Sequence, residues 1–253
     1  MNGFVAEAWK TGRKTLARNM LIIGYYDRHS GKNKMNKQQS GFTLVEIAIV
    51  LVIIGLLLGG VLKGQELVNS AKVKNLANDF RAISSFVYAY QDRFRALPGD
   101  DRIAATHLTG ATNAATPVLA DVGNARINGA WNSTTVTDET FLFWQHVRLT
   151  GLATGTPLTA SADYIPRNAE GGAIGVTGDA VLTAPTTPFP ASFYVCSRGI
   201  QGRYVRQIDT TIDDGNTITG SVRAMVDGVA NQADATPVLA VNDATSYTVC
   251  MAF

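Results

Sequence analysis

The chain is poor in charge, in aromatic residues and in cysteine. Charged residues make up 17% of its 253 residues, against about a quarter in an ordinary soluble domain. Basic residues exceed acidic ones by only two, so the basic face of a nucleic-acid binder is missing and no nucleic-acid partner is expected. Two cysteines exclude a disulfide-dense scaffold and a four-cysteine zinc site. No serine elbow, phosphate-binding glycine loop or zinc motif occurs, and His107 and His146 lie beside no paired metal-ligand spacing. The common enzyme signatures are therefore absent, no catalytic residue is nominated, and His146 reads as a packing or surface residue. Aromatic residues are only 8%, yet hydrophobic residues reach 46%. That is enough for a buried core and argues against collagen, a coiled-coil rod or wholesale disorder.

What is present is unevenly placed. Residues 1–41 hold eight basic and two acidic side chains, a net of +6, whereas residues 42–253 hold fourteen and eighteen, a net of −4. The two parts meet at residues 42–62, FTLVEIAIVLVIIGLLLGGVL, in which Glu46 is the only charge. A helix of that length extends about 31 Å, close to the ~30 Å hydrocarbon core of a bilayer. The positive-inside rule then places residues 1–41 in the cytoplasm and the acidic bulk across the membrane. A cleaved secretory signal has a shorter apolar run followed by a small-residue cleavage site. Neither is found here, so the segment is retained, and hydropathy alone describes a plain signal anchor.

Glu46 does not fit a plain anchor. A carboxylate at the centre of a spanning helix costs about 2.5–3.5 kcal/mol on insertion scales, and less near a helix end. Its neighbours supply a reason. Residues 40–46 read Ser-Gly-Phe-Thr-Leu-Val-Glu, shortly after Lys37. This resembles the signal of the type IV pilin superfamily, which includes pilins and the pseudopilins of type II secretion. The family pattern is a short basic leader ending in Gly, then Phe-Thr-Leu-hydrophobic-Glu, then an unbroken apolar stretch, and the resemblance covers about residues 35–62.

It implies that a prepilin peptidase, a membrane aspartyl protease, cuts Gly41–Phe42 on the cytoplasmic side and N-methylates Phe42. It implies further that Glu46 pairs with the N-terminal amine of a neighbouring subunit. Opposite charges attract strongly in a low-dielectric bundle and either one alone is penalised, so the pair acts as a register check. The leader departs from the pattern in length. Met35–Gly41 is a full leader by itself, and residues 20–24 form an apolar patch too short to span. Either translation begins at Met35, which is favoured, or the leader is long; in both cases residues 1–41 are absent from the mature protein.

No proline falls between Phe42 and Leu97, and Val73, Leu76, Phe80, Ile83, Val87, Tyr90 and Phe94 are spaced alternately by three and four. That is a sustained helical stripe, stopped by Leu97-Pro98-Gly99-Asp100. One helix, or two with a bend near Gly59-Gly60 or Gly64, is expected. The spacings Gly55-x-x-x-Gly59 and Gly60-x-x-x-Gly64 allow close helix approach in a membrane. The expected organisation is an upstream extension or long leader at 1–34, a leader peptide at 35–41, an N-terminal helix at 42–97 with its transmembrane part at 42–62, and a periplasmic globular domain at 98–253.

In that domain, Thr137-Asp138-Glu139 caps a helix through Leu149, stopped by Gly151, and its two-sided apolar character places it between the long helix and a sheet. Residues 153–190 hold five of the eight prolines and read as a long loop. Strand-like runs follow at Ser192–Cys196, Thr219–Val226 and Tyr247–Phe253. The expected fold is α+β and pilin-like: a long N-terminal helix packed against a small antiparallel sheet. Cys196 and Cys250 lie on the exported side, where an oxidising space favours a disulfide over two buried thiols. Many type IV pilins have a similar C-terminal disulfide-bounded loop. Residues 208–216, with Asp209, Asp213 and Asp214, read as a helix ending in an ordinary turn. They are also weak calcium candidates, because some pseudopilins bind calcium in a late acidic loop; no other cofactor is expected. The leading functional reading is a structural subunit of a bacterial inner-membrane machine, a type IV pilus or a type II secretion pseudopilus. Its partners would be prepilin peptidase, other pilin-like subunits and an inner-membrane assembly platform. The alternative is a single-pass membrane-anchored periplasmic enzyme or binding domain that uses the same signal.

Overall fold

The computed structural model describes residues 41–115, 119–229 and 232–253. The expectations for the extension at 1–34 and for the leader up to Ser40, including the choice between Met1 and Met35, lie outside these residues. The chain divides into two units, one up to Val50 and one from Leu51 to Phe253.

Helix α1 runs without interruption from Leu44 to Phe94, 51 residues, and the glycines at 59, 60 and 64 do not break it. In the second unit its apolar stripe behaves as the spacing predicts. Val73, Leu76, Phe80, Ile83, Val87 and Tyr90 are buried, and the half-buried Phe94 stacks between Tyr90 and His107. Arg95 then takes a left-handed φ of 57°, and Pro98 and Gly99 turn the chain. Gly99 is required there twice over: its φ is +92°, and a Cβ would lie 2.2 Å from the carbonyl oxygen of Glu139.

The corner after α1 is held by two buried aspartates that the sequence pattern alone did not mark. Asp100 accepts the backbone amides of Gly123, Asn124 and Ala125. Asp101 accepts the Tyr90 hydroxyl at 2.7 Å and faces His107 Nε2 at 2.6 Å, which places His107 on the short helix α2, Ala104–His107. Helix α3, Glu139–Leu149, is buried almost all round. It begins after Asp138 in extended conformation and ends before Gly151, whose φ is +76°. His146 on α3 is fully buried. Its Nδ1 accepts the Gly99 amide and its Nε2 donates to the Thr112 carbonyl, each at 2.9 Å. Burial holds that imidazole below its ordinary pKa, so it is a neutral structural group.

Four strands form one antiparallel sheet: β1 Ile174–Thr177, β2 Tyr194–Gln201, β3 Val222–Val226 and β4 Ser246–Ala252, in the order β1-β2-β4-β3. Helix α4, Gly202–Ile212, follows β2 directly. The loop expected at 153–190 is corrected by β1, which pairs Ile174–Thr177 with Ser197–Tyr194. The strand is short and glycine-flanked, and Gly175 lies where a Cβ would sit 1.9 Å from the Trp131 carbonyl oxygen; a close backbone crossing, not a side-chain pattern, fixes it. The C-terminal strand β4 is central, so the sheet is complete only when the chain end is in place.

Alternation along the strands serves two layers. Val195, Val222, Ala224, Tyr247 and Val249 share one core with the stripe of α1 and with Phe143, Trp144 and Val147 of α3. Tyr194, Cys196, Met225 and Cys250 form a second cluster with Leu182, Phe189 and Ala235. The proline-rich segment therefore covers the far face of the sheet. Cys196 and Cys250 are direct partners across β2 and β4, joined by a disulfide over a separation of 54 residues with a Cα–Cα distance of 4.1 Å. The cross-link fastens the central strand to its neighbour on the face away from α1.

Candidate functional site

The first site is at the start of α1, within the first unit. Gly41 and Phe42 precede the helix, and Phe42 is 81% exposed. Thr43 and Glu46 form a reciprocal cap. The Thr43 amide and hydroxyl donate to Glu46 Oε2 at 2.8 and 2.9 Å, and the Glu46 amide donates to Thr43 Oγ1 at 3.2 Å. This is a capping box, which satisfies amides that a helix start leaves unpaired. Glu46 thus has a role within its own chain: the carboxylate is held by Thr43, and both donors reach Oε2. Thr43 was not singled out from the sequence, although Thr-x-x-Glu before an apolar run is the signal for it.

Beyond the cap, every large apolar side chain from Leu44 to Val68 is exposed. Among the described residues, α1 is the one helix long and apolar enough to cross a membrane. A Cβ added at Gly55, Gly59, Gly60 or Gly64 would meet nothing within 4 Å. Charge returns at Lys63 and Glu66, an exposed pair 2.8 Å apart. In the second unit, Lys72 pairs with Glu170 at 2.7 Å and the Tyr204 hydroxyl donates to Asn69 at 2.9 Å, where α1 changes from exposed to packed.

The second site is the end of α4. Asp209 is fully buried and its two carboxylate oxygens have no hydrogen-bond partner. Asp213 is half-buried and Asp214 exposed, and one oxygen from each of the three lies within 4.8 Å of the others. Burial first, then the charges of Asp213 and Asp214, push the Asp209 carboxyl up to about 6. The helix expected to end here does so, with Asp213 at the C-cap.

A cleft of about 360 Å³ on the far side of the sheet is lined by Trp131, Asp179, Arg198 and Asp227. Its charged groups are already engaged: Arg198 pairs with Asp227, and Asp179 accepts the Gly129 amide and pairs with Arg126.

Residues 36–62 match the prokaryotic N-terminal methylation motif. No curated protein and no solved structure shows significant similarity to the chain. The motif covers Gly41 and Phe42, the capping box and the exposed apolar run as far as Leu62, and it points to a structural pilin-like subunit anchored by a single pass. The chain carries a type IV prepilin-type signal on a pilin-like α+β architecture.

Proposed function

We propose that the chain is a pilin-like structural subunit that assembles into a type IV pilus or a type II secretion pseudopilus. Prepilin peptidase cuts Gly41–Phe42 at the cytoplasmic face of the bacterial inner membrane and methylates the new amine. The basic segment stays inside, α1 crosses the bilayer, and the disulfide-linked domain is exported to the periplasm. An inner-membrane assembly platform then brings α1 against the α1 helices of other pilin-like subunits.

The observation that carries this reading is the uncovered first half of α1 with its four open glycines. Each glycine in a helix interior costs about 0.5–1 kcal/mol relative to alanine, and the chain gains no contact of its own there. A second helix packed closely on the small residues supplies the missing contacts. An apolar exposed helix alone would serve a membrane anchor equally well; the glycines and Glu46 favour self-association. In the capping box Thr43 binds Oε2, which leaves Oε1 for the Phe42 amine of a neighbouring subunit. Thr43 is thereby a positioning residue for the intersubunit pair.

Terminal mass analysis of membrane-extracted protein tests the processing step. The expected N-terminus is N-methyl-Phe42. A terminus at Met1 or Met35, or one beyond Leu62, would overturn the reading.

A further inference from the structure

A second cleft, of about 260 Å³, adjoins the one on the far side of the sheet, and Trp131, Asn132 and Arg198 line both. The fold fixes two of the three. The Trp131 backbone crosses β1 at Gly175, and its side chain packs on the second core cluster while staying partly exposed. Arg198 sits where β2 shifts register between Ser197 and Ile200, an irregularity of the kind that re-aims a side chain at a site. Asn132 is exposed. Among the described residues, neither its side-chain amide nor the Trp131 indole N–H makes a hydrogen bond.

The charges lining the clefts largely cancel. Asp227 faces Nε and Nη2 of Arg198, each at 3.4 Å, and Asp179 faces Arg126 at 3.1 Å. The first pair leaves Nη1 of the Arg198 guanidinium, with its two N–H donors, unused. Arg167 is the lining cation without a carboxylate; it is exposed and donates to the Gly171 carbonyl. The Thr177 and Thr248 hydroxyls donate to the Gly129 carbonyl and to Asp227 Oδ1, and both keep lone pairs to accept with. In the second cleft, Thr140 is 2% exposed and its hydroxyl has no hydrogen-bond partner, a state that buried polar groups avoid.

We propose that the two clefts form one binding site for a short, uncharged oligosaccharide. An indole offers a flat apolar face with a polar N–H at its edge, which suits the C–H face of a sugar ring and one of its hydroxyls. The unused amide of Asn132, the free Arg198 nitrogen and the threonine oxygens supply donors and acceptors together, as a ligand of many hydroxyls requires. Compensated charges give an ionic ligand little net attraction. Apolar ligands take sites lined mainly by hydrophobic side chains, whereas threonine, asparagine, glutamine and charged groups surround Trp131 here. Two clefts that share three lining residues take neighbouring sugar units of one chain, and a lining fixed before binding lowers the cost of ordering it. This inference goes beyond the structural-subunit reading and does not depend on N-terminal processing or on assembly.

The test uses the full chain in a detergent without a sugar headgroup, applied to arrays of immobilised neutral, sialylated and sulfated glycans and of short peptides. The strongest binder is then titrated in free form by calorimetry. Wild type is expected to bind at least one neutral oligosaccharide with a dissociation constant of about 1 mM or tighter. Trp131→Ala is expected to weaken that binding at least about tenfold, through loss of the stacking face. Asn132→Ala removes an exposed side chain that bonds to nothing in the chain; it is expected to melt as wild type does and to bind about two- to tenfold more weakly. The proposal is overturned if no neutral glycan binds, if sialylated or sulfated glycans bind and neutral ones do not, or if peptides bind in their place. It is equally overturned if both variants bind as tightly as wild type. Should Trp131→Ala fail to fold, Asn132→Ala decides alone.

Discussion

From Leu44 to Val68 helix α1 exposes all its large apolar side chains, whereas from Val73 to Tyr90 it buries one face in the core and presents polar groups on the other. The same backbone serves two solvents. Where the sequence is apolar at every position the helix has no preferred face and its surroundings must be apolar all round, in lipid or among like helices. Where apolar residues recur by threes and fours, one face meets a folded domain and the other meets water. The change falls between Glu66 and Lys72, where charged and amide side chains first bond to α4 and to Glu170. Burial within a single chain therefore separates the part of α1 that packs into the folded domain from the part that the chain leaves uncovered.

The largest effect on the packed half comes from Phe80→Ala. Phe80 is 1% exposed at the centre of the core, and its truncation is expected to destabilise the domain by about 3–5 kcal/mol, read from denaturant unfolding. The exposed Leu57→Ala change is expected to leave domain stability within about 0.5 kcal/mol. An equal loss at both positions would break the division of α1 into two parts. Next in size is the double replacement Cys196→Ala with Cys250→Ala, expected to cost about 2–4 kcal/mol. The central strand β4 then keeps only its ladder bonds and the core packing of Tyr247 and Val249, and limited proteolysis should release the C-terminus sooner.

A smaller effect depends on pH. Burial, reinforced by Asp100, Asp179 and Asp121, pushes the Glu139 carboxyl from 4.5 to about 8, and its Oε1 has no hydrogen-bond partner. An acid with a raised folded pKa binds a proton more tightly in the native state. Its contribution is complete below pH 4.5 and is lost as pH rises towards about 8. Glu139→Gln is expected to reduce that decline, so that it is more stable than wild type at pH 8 by about 1–3 kcal/mol. Parallel profiles for the two proteins between those limits would place the carboxyl in a wetter setting. The smallest effect on the domain is that of Gly59→Ala. The side chain meets nothing within the chain, so the isolated subunit is expected to be unchanged or slightly stabilised, by up to about 1 kcal/mol. On the proposed assembly, its effect is expected as a loss of filament yield.

Local pattern made α1 and α3 legible, because helix spacing, the Asp138 start and the Gly151 stop are short-range signals. Strands β2, β3 and β4 were visible as runs of β-forming residues, but their order was not. Register and the central place of β4 depend on partners far apart in sequence. Strand β1 escaped because Gly171, Gly172, Gly175 and Gly178 give it the look of a loop, and its place is set by Trp131 crossing Gly175. At the start of α1, Gly41, Phe42 and Glu46 stood out through the motif, whereas Thr43 needed its cap bonds to be seen. Asp209 shares the helical face of Val205 and Ile208, so its burial was readable from spacing; the absence of any bond to its oxygens was not.

The central claim is that the exposed half of α1 assembles through Glu46, and Glu46→Ala measures it most directly. Insertion needs only the apolar run and cleavage needs Gly41, so the variant is expected to be membrane-bound and processed to Phe42. Loss of the carboxylate leaves a neighbour's amine uncompensated in the bundle, at a cost of about 3–5 kcal/mol, or a fall in incorporation of about two orders of magnitude or more. The readout is the fraction of processed variant recovered in sheared filaments or crosslinked to other pilin-like subunits. A processed Glu46→Ala protein that incorporates as wild type does would contradict the account and leave α1 as an anchor.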